Sequence, residues 1–245
     1  MEDRAGTAMP AERPPSAAAA AGVGDAGTLS DPRALQILTT EHWALLAARS
    51  LVYNEAFARA GMFLSFLSAT LVALGLIATV AGFNDGFLMI AAVLLAVDVF
   101  IGFASLGRIA SASAEDILLL QGMSRIRHAY VDMVPGTAPY FMSGHHDDPV
   151  SVVAMYGEVV SSPRRQLVHG FTTTPGMIGV ITCGVAAALA GVLVMLATRD
   201  PRLSGIVAGV GFVVLNVALI ALISGNIQGF WRRMHVMFPK EPPQP

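Results

Sequence analysis

Four stretches of this chain are almost free of polar side chains, and they alternate with segments that are not. They run from Met62 to Gly82, Phe87 to Gly107, Gly176 to Ala197 and Leu203 to Gly225, each 21 to 23 residues long. As α-helices they would reach roughly 31–35 Å, enough for a hydrocarbon layer of about 30 Å. A helix on a soluble core keeps one polar face for water. These stretches keep none, and Asp98 is the single formal charge within them. The pattern predicts an all-α membrane protein with four transmembrane helices.

The first two spans are separated by Phe83-Asn84-Asp85 with Gly86 beside them, residues that tolerate the backbone angles of a tight turn. The last two are separated by Thr198-Arg199-Asp200-Pro201-Arg202, in which Pro201 blocks helix continuation. Links this short predict two antiparallel hairpins, 62–107 and 176–225, with a polar segment over 108–175 between them.

Outside the spans, Ser30-Asp31-Pro32 reads as a helix start, and Thr39 or Thr40 as the cap of a second helix. Leu38, Leu45, Val52 and Ala56 recur at helical spacing. Residues 31–61 are therefore expected to form an amphipathic cytosolic or interfacial helix region. Two placements stay open: flat on the membrane with Trp43 at headgroup level, or packed on the other polar-segment helices. After span 2, Leu119, Met123, Ile126, Tyr130 and Met133 step by fours and threes, a seam for packing within the chain or for a partner helix. Pro135-Gly136 ends that helix, residues 135–148 read as a loop, Val150 to Val160 as a short helix, and Pro163 opens a linker. Residues 1–30 read as a disordered Ala/Gly/Pro-rich tail without a secretory signal, and 226–245 as a cytosolic tail.

Charge placement orients this picture. Residues 1–61, 108–175 and the C-terminal tail carry thirteen of the lysines and arginines; the two short links hold only Arg199 and Arg202. The expectation is a multi-pass protein of the bacterial cytoplasmic membrane with both termini cytoplasmic. Phe230 and Trp231, before Arg232-Arg233, suit an interfacial anchor. Composition agrees: 54% of residues are hydrophobic and 13% charged, against roughly 25% charged in soluble domains. That balance argues against a soluble enzyme. A net charge of -2 argues against a nucleic-acid partner. Cys183 is the one cysteine and has no partner within the chain.

Asp98 is the most informative residue. It sits about 16 Å into its span, and a carboxylate there is expensive unless it is protonated, paired or wet. Asn216 at about 20 Å and Thr70 at about 18 Å from the same face share that depth, with Ser68 a turn deeper. The expectation is one intramembrane polar cluster of Asp98, Asn216, Thr70 and Ser68. It serves either as a proton or cation relay or as a protonated aspartate that holds helices together. Small residues suited to close helix packing stand at Gly205 and Gly209 and at Gly184, Ala188 and Gly191. His145-His146-Asp147-Asp148 is the densest group of ligand-type side chains. Adjacent residues seldom ligate one ion, so they are weak candidates. They make a metal site only if the fold brings in His128, Glu158 or His169. The Gly22 to Gly27 GxGxxG lacks the strand and helix that give it meaning, and no catalytic spacing or cofactor motif accompanies it. No cofactor and no resident metal are expected.

Leu38 to Ser50, Tyr53 to Arg59, Pro139-Tyr140-Phe141 and His145 to Asp148 resemble a family of bacterial, actinobacterial-type four-span integral membrane proteins to which no activity is assigned. Fourteen arginines to one lysine suit such a G+C-rich source. The resemblance, over about residues 33–240, implies four spans and no chemistry. The functional expectation is a non-enzymatic scaffold or partner-binding component, with the bilayer and a second copy or a membrane protein as partners. The alternatives are a small oligomeric channel or transporter using Asp98 and, more distantly, a membrane enzyme using the His/Asp loop.

Overall fold

The computed structural model describes residues 29–156 and 173–240. The predicted tail before residue 29, the Pro163 linker, Glu158 and His169 lie outside them. Five α-helices stand in the described residues: α1 Pro32–Ala81, α2 Asp85–Met133, α3 Pro149–Ala154, α4 Thr174–Thr198 and α5 Pro201–Arg233, with a 3-10 turn at Pro135–Tyr140 after α2. Among the described residues there is no strand. α1, α2, α4 and α5 are each long and apolar enough to cross a membrane.

Helix ends follow local chemistry. Asp31, Asn84, Asp148, Thr173 and Asp200 each cap a helix by accepting a backbone N–H through their side chains, which satisfies donors that the first turn leaves free. Pro32, Pro149 and Pro201 follow their caps directly, where a missing N–H does no harm. At the link between α1 and α2, Gly82 takes φ 66°, a conformation that favours glycine. Arg199 takes the left-handed conformation between α4 and α5, and its guanidinium pairs with Asp85, tying the two links together.

α1 and α2 extend far past their apolar stretches, with 50 and 49 residues, or about 75 Å each. No cap or break interrupts α1 at Thr39 or Thr40; Thr40 donates its hydroxyl to Gln36 O within the helix. The membrane-surface placement of residues 40–60 is thereby corrected. Nothing in that segment stops a helix, and its Leu45 packs where a Cβ on Gly122 of α2 would meet it at 3.1 Å. Trp43 therefore stands about 28 Å of helix beyond Met62 and is exposed. The seam on α2 is buried within the chain at Met123 and Ile126.

The long helices pack in series: α1 on α2, α2 on α4, and α4 on α5. α2 is the spine, with Asp98, Gly102, Ser105, Ile109, Ala112, Asp116, Leu120 and Met123 forming one buried line. Ala60 and Phe63 of α1, Leu106 and Ile109 of α2 and Ile178 of α4 make the apolar core, and Leu219 of α5 reaches it. Besides Gly122, three glycines permit close approaches between helices. A Cβ on Gly102 would lie 2.7 Å from Thr182 Oγ1, one on Gly179 would lie 2.7 Å from a Leu219 methyl, and one on Gly191 would lie 3.1 Å from Ala208 Cβ. Ser204 donates its hydroxyl to Gly191 O at 2.7 Å. The expected small-residue faces are only partly used. Gly184 meets Phe212 at ordinary contact distance, whereas Ala188 is exposed. Gly205 and Gly209 are also exposed and face open space, because α5 turns its other side to α4.

Gly102→Ala is expected to destabilise the fold by about 1–3 kcal/mol, since Thr182 and Phe63 are both fully buried and neither has room to yield. Thermal unfolding in detergent measures it; Gly205→Ala, in open space, is the control, expected to hold or raise the unfolding temperature because alanine favours the helix.

Candidate functional site

Polar groups buried along α2 fall at three levels. The first lies inside the apolar band. Asp98 is 1% exposed, and its Oδ2 has no hydrogen-bond partner among the described residues, as is true of Ser105 Oγ two turns on. Thr182 of α4 stands against the intervening Gly102 and donates its hydroxyl to Ile178 O. Of the four residues expected to cluster here, the structure buries Asp98 and Thr70. Ser68 is exposed and donates to Leu64 O, and Asn216 donates its amide to Phe212 O on its own helix. Equal depth did not mean adjacency. Ser68 is two residues from Thr70 and so points to another side of α1, while α5 packs on α4 rather than on α2. Thr182, whose sequence depth is slightly greater, stands one turn from Asp98 at Gly102; buried Ser105 was missed, although the steps of four and three from Asp98 through Gly102 put it on the same side of the helix.

The second level lies beyond the apolar stretch. Asp116 is 3% exposed and accepts from Arg49 Nε at 2.6 Å, Tyr53 Oη at 3.0 Å and Tyr156 Oη at 2.5 Å. Burial and the adjoining carboxylate hold both phenols above their usual range, so both stay protonated and donate. Burial opposes the charge of Arg49, but its hydrogen bonds to Asp116 and Tyr53 outweigh that and raise its pKa. Nearer the apolar band, Arg108 grips both oxygens of Glu55 at 2.8 and 2.7 Å and reaches Glu115 at 3.1 Å. These groups are largely exposed, so water screens them and they fix register more than they add stability. None of these long-range partners was legible locally; Arg49 and Asp116 are 67 residues apart.

The third level is the far end of α2, where the segment after α5 folds back. Asp147 is fully buried. It accepts from Arg125 Nε at 2.8 Å, from Phe238 N at 2.7 Å, and from Met237 N at 3.1 and 3.0 Å through both oxygens. Gln121 Nε2 bridges Asp147 O and His235 O. Asp148 caps α3 and accepts from Lys240 N; burial raises its pKa, but the hydrogen bonds from Ser151 and Lys240 prevail and hold it below its usual range. Neither carboxylate is free to ligate. The expected group of four residues is therefore divided: the two aspartates hold the chain end, and the two histidines join His128. One ligand-type atom from each of His128, His145 and His146 lies within 4.8 Å of the others. The His145 and His146 ring centroids are 4.2 Å apart, and the Phe238 ring stacks on His128 at 4.1 Å. Burial lowers the pKa of His145, and the neighbouring His146 and His128 rings push the same way. Burial and the charge of Arg127 likewise lower that of His42, whose ring faces Tyr130.

Comparison with protein-family models, curated proteins and solved structures returned no match.

Asp147→Ala removes the acceptor from a buried guanidinium contact and two backbone donors, a change expected to cost about 3–5 kcal/mol. Tryptic cleavage after Arg233 and Lys240 should quicken in parallel with a lowered unfolding temperature; unchanged protection of those sites would show that the chain end is held by other contacts.

Proposed function

We propose that this chain is a non-enzymatic, multi-pass scaffold of the bacterial cytoplasmic membrane that presents its polar end to a partner protein in the cytoplasm. The observation that carries the reading is the face α1 leaves uncovered after folding. Beyond the apolar stretch, Leu35, Trp43, Leu46 and Phe57 share one side of α1, within about 80° of one another, and all are exposed, Trp43 at 64%. Large apolar side chains on a water-facing helix mark a surface meant to be covered. The packing beneath it is rigid: Asp116, Glu55–Arg108 and Leu45 fasten α1 to α2 along its length. The arginine-rich ends of the long helices support the cytoplasmic placement. With a photo-crosslinking residue in place of Trp43, ultraviolet light should yield a protein adduct in membranes of the native host. The same residue in place of exposed Glu41, about 200° around the helix, should not. Adducts from both positions or from neither overturn the reading.

A second reading, an oligomeric proton or cation channel, draws on the unpartnered Asp98 oxygen in the apolar band. The serial packing of the spans counts against a pathway within one chain. In proteoliposomes, the scaffold reading expects proton and cation leak equal to protein-free vesicles. A wild-type flux abolished by Asp98→Asn would replace the first reading with the second.

A further inference from the structure

We propose that His128, His145 and His146 bind one divalent transition-metal ion, in a three-imidazole site of the kind that takes Zn2+, with a fourth position open to water. The site is independent of the scaffold reading.

The convergence comes from two elements. His145 and His146 sit on the loop between the 3-10 turn and α3, and His128 on α2. Adjacent histidines do not form a site unaided. Here the loop is fixed by Asp147, whose carboxylate is taken up by Arg125 and the chain end, so both neighbouring rings are held at the α2 surface. One ligand-type atom of each of the three residues lies within 4.8 Å of the others. Tetrahedral zinc with nitrogen ligands needs about 3.3 Å between them. Closing that gap on metal binding would take rotation of the three half-buried rings.

The unmet hydrogen bonds point the same way. His128 Nδ1 and His146 Nδ1 are buried without a partner among the described residues. A neutral imidazole carries a lone pair on one nitrogen, and burying it unmet is unfavourable; a cation between the rings removes that penalty. His128 Nε2 lies 3.8 Å from Asp132 Oδ2. At that distance it is a charge contact and not a hydrogen bond; the carboxylate stands on the Nε2 side of the ring, where outer-shell carboxylates stand at histidine metal sites, and the unpartnered Nδ1 is the other ring nitrogen. The donor set selects the ion. Three imidazoles, with no carboxylate among the converging ligand atoms, suit Zn2+, Co2+, Ni2+ or Cu2+, and do not suit Mg2+ or Ca2+, which require oxygen. Phe238, stacked on His128, shields one side and brings the chain end against the site. A bound ion would thus clamp the loop to α2 beside the place where Asp147 holds the segment after α5.

The test is titration of the full chain, purified through a histidine-free tag, with Co2+ as the spectroscopic probe. Wild-type protein should bind one equivalent and develop the visible absorption of low-coordinate cobalt–nitrogen ligation, and added Zn2+ should displace it. Asp132→Asn should weaken binding by about 10-fold, and His145→Ala should weaken it further while circular dichroism stays unchanged. No cobalt spectrum in the wild type overturns the proposal without recourse to any variant, as does binding that survives His145→Ala together with His146→Ala.

Discussion

A carboxylate removed from water must be met by donors or neutralised, because the surrounding protein does not replace its hydration. Among the described residues three are buried, and two of them tie separate parts of the chain together. Asp116 draws in an arginine and a tyrosine from α1 and a second tyrosine from the segment after α3. Asp147 draws in Arg125 of α2 and two backbone N–H groups from the segment after α5. Asp98 keeps one oxygen unmet in the apolar band. Apolar packing alone leaves helices in lipid free to slide and rotate, since lipid tails satisfy their surfaces as well as other helices do. The aspartates at the polar end give the long helices a register that greasy surfaces do not.

The four spans were legible because their signal is local: twenty-odd apolar residues in a row fix both conformation and surroundings. The helix start at Asp31 was legible for the same reason. What failed was inference across helices. Depth placed Asn216 beside Asp98, but depth leaves rotation and neighbour order open, and α5 stands one helix away. The GxxxG of Gly205 and Gly209 was visible as a motif, yet the close approaches are made by Gly102, Gly122, Gly179 and Gly191, of which only Gly191 belonged to an expected face. Whether a small residue is used depends on what the opposite helix presents, which no single segment records.

The polar segments show a different limit. Residues 31–61 carried helical periodicity, and their continuity with the first span followed from the absence of any stop signal, a negative feature that is easily discounted. The His/Asp run looked like one cluster because its members adjoin. In the fold, Asp147 and Asp148 turn to the chain end and the histidines turn to His128. His128 is on another element, and only tertiary structure brings it in.

The buried line on α2 has a mechanical corollary. Asp98 and Asp116 are separated by about 27 Å and about five turns, so they stand on nearly the same azimuth. An unbroken α-helix resists torsion because each turn is hydrogen-bonded to the next. Rotation of α2 about its axis would therefore carry Asp98 and Asp116 round together, and the hold of Arg49, Tyr53 and Tyr156 on Asp116 also sets which way Asp98 faces.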